Sequence, residues 1–118
     1  MYQLVKNSKR KGGRKMILST SDQFPGKEYE VLGLVKGNVV QSKHIGKDIF
    51  AGLKNIVGGE IASYTEMLSE AREIATQRMV AEAEARGADA VMMIRYGGAQ
   101  IMESTAEIIA YGTAVKFV

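Results

Sequence analysis

The final stretch of the chain alternates two kinds of residue. From Thr105 to Phe117, Ala106, Ile108, Ala110, Gly112 and Ala114 fall on one face. Ile109, Tyr111, Val115 and Phe117 fall on the other. A period of two marks a strand. The small face predicts close packing by a helix, and the bulky face demands a second cover. The segment Asp89–Met102 reads as another strand, separated from the last only by Glu103-Ser104. A connection this short predicts an antiparallel hairpin. Its faces read as Met92, Ile94 and Tyr96 against Val91 and Met93, and Gly97-Gly98 marks a bulge or bend.

Tyr29–Ser42 supplies the first long strand. Val31, Val35 and Val39 share a face with Gly33 and Gly37, and Leu32, Leu34 and Val40 lie opposite. Two glycines at alternate positions imply either close approach of another group or a bend that lets the strand coil. Met16–Thr20 is a short strand candidate. Phe24-Pro25-Gly26-Lys27 has proline and glycine at the central positions of a type II turn.

Between the strands lie two helical patterns. In Lys47–Val57, the residues Ile49, Phe50, Leu53, Ile56 and Val57 form one stripe, ended by Gly58-Gly59. Ser63 with Glu66 then fits a capping box. The helix it opens runs to about Arg86, with Tyr64, Met67, Leu68, Ala71, Ile74, Ala75 and Met79 on its buried stripe. Arg78 and Glu82 interrupt that stripe and either pair with each other or face a neighbouring subunit. Gly87 suits the position just past the helix end.

These patterns predict an α+β fold: a two-layer β-α-α-β-β sandwich with a small antiparallel sheet. Two helices cover one sheet face only. The apolar residues on the other face predict a symmetric homo-oligomer, unless the N-terminal strand and turn provide the cover.

Composition bounds the chemistry. The 118 residues point to one domain, with 46% hydrophobic and 25% charged residues. The chain has no cysteine, which excludes disulfides and thiolate metal sites and fits a cytoplasmic protein. A single histidine excludes sites needing two from one chain. No apolar run approaches the roughly 20 residues of a membrane helix. The formal charge of +3 suggests nucleic acid, but its distribution argues against that partner. Residues 1–15 hold Lys6, Lys9, Arg10, Lys11, Arg14 and Lys15 and no acid, so 16–118 carries a formal −3 (ten bases against 13 acids). The basic stretch KNSKRKGGRK has no apolar side chain to bury, so residues 1–15 are expected to form a disordered leader or tail. Lys11–Lys15 directly before Met16 can be encoded by a purine-rich stretch resembling a ribosome-binding site. Residues 1–15 are accordingly expected to be a translated leader, with the native start at Met16 and a single domain over 16–118.

No nucleophile elbow, Walker A loop or dinucleotide-binding loop is present, and no catalytic residue is assigned. His44 and Asp48, four apart, would share a helix face and could ligate a divalent metal ion. Gly46 between them opposes that geometry, and the alternative is an exposed histidine before an acidic first turn. The methionines are better explained as core filling than as soft-metal ligands. Gly58-Gly59-Glu60 forms either an anion-binding nest or a plain loop.

The run VLGLVKGNVVQSKHIGKDIFAGLKNIVGGEIASYTEMLSEAR, followed by GADAV and YGTAV, resembles the YbjQ-like proteins. These form a prokaryotic family of unestablished function that carries a heavy-metal-binding label. The resemblance covers essentially residues 16–118. It implies a dodecin-like subunit, strand–helix–strand–strand with an extra helix, assembled as a homopentamer. Gly58, Gly59, Tyr64, Arg72 and Asp48 match characteristic family positions. Gly58, Gly59, Tyr64 and Arg72 are thereby the candidate ligand-binding residues, and Arg72 is suited to a carboxylate across a subunit interface or to an anion. The expected function is an oligomeric small-ligand or metal-ion binding protein. The competing classes are a structural or interaction module whose ring is the functional surface, and an enzyme with an intersubunit site.

Overall fold

A computed structural model describes residues 2–6, 15–42, 56–57 and 60–118. Its strands are β1 (Tyr2–Lys6), β2 (Lys15–Ser19), β3 (Tyr29–Ser42), β4 (Ile56–Val57), β5 (Glu60–Ile61), β6 (Ala90–Met102) and β7 (Thr105–Phe117). The helix α1 spans Ala62–Ala85. The main sheet has five strands in the order β1-β2-β6-β7-β3. All its neighbours are antiparallel except β2 and β6, which run parallel through Ile17↔Ala90 and Leu18↔Val91. The sheet is therefore mixed rather than purely antiparallel, because Met16–Thr20 docks beside β6 instead of standing apart.

Two further expectations change. Disorder throughout residues 1–15 does not hold at Tyr2–Lys6, which pairs residue for residue with β2. The lack of apolar side chains applies to the stretch from Lys6 onward, whereas Tyr2, Leu4 and Val5 favour a strand. The helix expected over Lys47–Val57 does not reach its predicted end, because Ile56–Val57 is a strand paired with Glu60–Ile61. Glycine pairs signal hairpins as well as helix ends, and the β-branched Ile56, Val57 and Ile61 favour the strand. The rest of that pattern lies outside the described residues, and α1 is the one helix among them.

The core lies between α1 and the β3–β7 pair. Met67, Ala71, Ala75, Met79, Val80 and Ala83 of α1 are buried, as are Ile108, Ala110 and Ala114 on the small face of β7. The α1 stripe and the small face therefore meet as expected. Gly37 allows the closest approach: a Cβ there would fall on the Ala75 carbonyl oxygen and the Met79 amide nitrogen. The helix ends in a Schellman motif. Gly87 (φ 77) donates its N–H to Glu84 O at 2.9 Å, and the Ala88 N–H reaches Ala83 O at 3.1 Å.

Of three register shifts, one lies between Gln100 and Met102 beside the hairpin and the other two reassign the sheet faces. On β3 the register shifts between Val31 and Gly33, where Gly33 has φ 115. Leu32 thereby packs on the same core as Val35 and Val39. The two β3 glycines have different roles, with Gly33 at the bend and Gly37 under the helix. On β6 the shift falls between Met92 and Arg95, with Met93 at φ 55, rather than at Gly97-Gly98, which stays in register with Ile109 and Ile108. Val91, Ile94 and Tyr96 consequently lie on the helix side, and Met92 lies opposite.

Among the described residues, the far face is covered at one end. Ala90, Met92 and Val115 are buried there beneath Phe24, Ile17, Tyr29 and Phe117. The predicted Pro25-Gly26 turn closes through Lys27 N–H to Phe24 O at 3.1 Å, with Gly26 at φ 77. It sets the Phe24 ring edge-on to Phe117 at 5.6 Å. Beyond this cap, Val31, Leu34, Val40 and Tyr111 remain exposed.

Candidate functional site

α1 sits over β3 and β7 and leaves much of β6 uncovered. Its two flanks therefore differ. On the β3 flank, Arg78 Nη1 donates to Asn38 O at 2.7 Å and Arg86 Nη1 to Leu32 O at 3.5 Å. Glu82 pairs with Arg86 at 3.6 Å, not with Arg78 as one expectation had it. The four-residue spacing is the same, but Arg78 is engaged by the strand carbonyl.

On the β6 flank, a groove of ≈ 590 Å³ opens between the first turns of α1 and the end of the β6–β7 hairpin. Met67, Leu68, Ile108 and Gly98 give it apolar walls, and Tyr64 and Ser104 stand at one end. The hydroxyl oxygens of Tyr64 and Ser104 are 2.7 Å apart. Ser104 is buried and adopts φ 59 in the expected Glu103-Ser104 turn, which aims its side chain back at the helix. The helix begins at Ala62, so Ser63 lies inside the first turn rather than at the cap position.

A more polar depression of ≈ 330 Å³ follows along the same flank, lined by Ser69, Arg72, Glu73, Thr76 and Tyr96. Arg72 Nη2 donates to Ser69 Oγ at 3.1 Å. Thr76 Oγ1 donates to Arg72 O at 2.7 Å and lies 2.7 Å from the Tyr96 hydroxyl. Thr76 has one hydroxyl hydrogen, so Tyr96 is the donor in the second contact. This chain of bonds fixes the wall of the depression.

Two of the sequence-predicted ligand residues, Tyr64 and Arg72, thus lie on one helix flank two turns apart. Gly58 and Gly59, and the metal candidates His44 and Asp48, lie outside the described residues. Ser104, Thr76 and Tyr96 were not singled out from the sequence. Tyr96 reaches the helix side only because of the Met93 bulge, which has no glycine to signal it. Ser104 had a detectable signal, a serine in a two-residue connection.

The family model described as "Putative heavy-metal-binding" matches residues 16–118. A UPF0145 protein from Colwellia psychrerythraea is 62% identical over 102 residues, covering 86% of this chain and 97% of that protein. A UPF0145 protein from Vibrio parahaemolyticus is 61% identical over 104 residues, covering 87% and 99% respectively. The fold is shared with the crystal structure of a DUF74-family protein of unknown function from Pediococcus pentosaceus. That likeness has a TM-score of 0.64 at 14% identity, over 87% of this chain and 98% of the other.

Among the described residues, the donor set does not fit a heavy-metal ion. Such ions prefer thiolates, and the chain has none. Among the described residues, no three His, Cys, Asp or Glu side chains converge. No helix among them is long and apolar enough to cross a membrane.

Proposed function

Because the chain belongs to the family described as "Putative heavy-metal-binding", yet its described residues gather no such site, we propose that it is a homo-oligomeric small-ligand binding protein whose site is the α1–β6 flank. The carrying observation is the groove itself, with apolar walls and the Tyr64–Ser104 hydroxyl pair at one end. Apolar clefts of roughly 300–1,000 Å³ with a few fixed polar groups are the usual form of small-molecule sites. The metal-ion alternative rests on His44 and Asp48; substituting either by alanine should weaken binding if it is right.

Assembly into a homopentamer of dodecin-like subunits, acting in the cytoplasm, belongs to the same reading. It is supported by the exposed far-face residues Val31, Leu34, Val40 and Tyr111, which need a cover. It is also supported by two stretches of sheet edge that no described strand covers. β3 ends the sheet on one side, and on the other, past the Met93 N–H bond to Ser21 O at 3.0 Å, the far half of β6 has no described strand on its outer edge. Joining these non-equivalent edges is a head-to-tail contact, which closes into a ring when the rotation permits. The same exposed face favours the competing interaction module, in which the ring surface is the functional part.

Native mass spectrometry of the purified chain, with thermal shifts across a metabolite and metal panel, separates these readings. A pentamer that retains or is stabilised by a small molecule is the expected result. An empty ring without shifts overturns ligand binding, and a monomer at micromolar concentration overturns assembly.

A further inference from the structure

Two depressions adjoin along the open flank of α1. Leu68 of the groove and Arg72 of the polar depression are one helical turn apart, about 6 Å along the axis. Opposite them, Gly98 and Tyr96 are successive residues on the helix side of β6, about 7 Å apart. The apolar groove and the depression that holds a guanidinium are therefore neighbours along one flank.

We propose that this trough takes a small amphipathic carboxylate, with its apolar body between Leu68 and Ile108 and its carboxylate on Arg72. The inference rests on the trough being the ligand site and adds the class of ligand. Arg72 uses one of its donors on Ser69, and no carboxylate partners it among the described residues. A guanidinium presents five donors in a planar fork that matches a carboxylate. Of the neighbouring hydroxyls, Ser69 accepts from Arg72 and keeps its O–H to donate beside the guanidinium, whereas those of Thr76 and Tyr96 are already committed as donors. Thr76 donates to the Arg72 carbonyl, and Tyr96 donates to Thr76. Tyr96 keeps only acceptor capacity, which leaves Arg72, with Ser69 beside it, as the anion-binding group.

Glu73 narrows the class. It lines the same depression, and its Oε1 accepts from Gln77 Nε2 at 3.1 Å. A negative charge beside the guanidinium disfavours a dianion such as phosphate and leaves room for one carboxylate. The apolar groove disfavours a short carboxylate such as acetate, which cannot fill it. Chain length and head-group charge therefore select together.

Calorimetry on the full chain with decanoate, decanol and inorganic phosphate tests the proposal. Decanoate should bind about tenfold more tightly than decanol, and phosphate should not bind measurably. Arg72→Gln should abolish the preference for decanoate and leave decanol affinity unchanged; the side chain is at the surface, so the fold is retained. Arg72→Lys, which keeps the charge without the fork, should recover part of the preference. Equal affinity for decanoate and decanol overturns the carboxylate assignment while leaving the groove as a ligand site. Binding of neither overturns the site itself. If Arg72→Gln alters oligomeric mass and not decanoate preference, the partner of Arg72 is a carboxylate of a second copy, and the proposal fails.

Discussion

The two flanks of α1 are built from the same kinds of parts and end in opposite states. On the β3 side, Gly37 lets the helix backbone settle onto the strand, and two arginines reach strand carbonyls. On the β6 side, Gly98 likewise lacks a side chain, but the helix does not descend. Gly98 becomes part of a groove wall, and among the described residues Arg72 bonds within its own helix. The difference teaches that a missing side chain creates either a contact or a cavity, depending on whether the facing element can approach. α1 lies over β3 and β7 and stands further from β6, which it meets through the Thr76–Tyr96 bond.

Substitutions on the two flanks should therefore behave differently. The largest effect is expected for Gly37→Ala, whose methyl would overlap the helix backbone. Urea denaturation should show a loss of about 3 kcal/mol. A loss no greater than that of Gly98→Ala would break the comparison. Thr76→Val removes the bonds to Arg72 O and to Tyr96. It should cost about 1 kcal/mol in the same measurement and loosen the depression around Arg72. Tyr64→Phe removes its partner from buried Ser104 and should cost roughly 0.5–1.5 kcal/mol. The smallest effect on stability belongs to Gly98→Ala. Its methyl would meet the flexible end of Ile108 at 3.1 Å, for a cost under about 1 kcal/mol. The same methyl should weaken ligand binding because it occupies the groove, and a stable Gly98→Ala chain with unchanged affinity would remove Gly98 from the site.

Much of the frame was legible in the sequence. The Thr105–Phe117 alternation put a small face under a helix, and the α1 stripe, the Gly87 stop and the Pro25-Gly26 turn follow local rules that the structure obeys. What was not legible was parity. A single extra residue at Met93 carries Ile94 and Tyr96 to the helix side, and that position has neither glycine nor proline to announce it. The conspicuous Gly97-Gly98 pair drew the expected bulge instead, although it stays in register. Parallel docking of β2 beside β6 was hidden for a different reason. It uses only two register pairs far apart in sequence, and no local pattern encodes such a contact. The candidate site was half legible. Tyr64 and Arg72 came through resemblance, while their neighbours Ser104, Thr76 and Tyr96 are assembled by the bulge and the hairpin turn.

The most direct test of the trough is methyl NMR of the full chain during titration with decanoate. The account predicts that the methyl signals of Met67, Leu68 and Ile108 shift together and saturate, while those of Val35 and Val39 beneath the closed flank stay in place. Shifts concentrated instead at Leu34 and Val40, on the far face of the sheet, would contradict it.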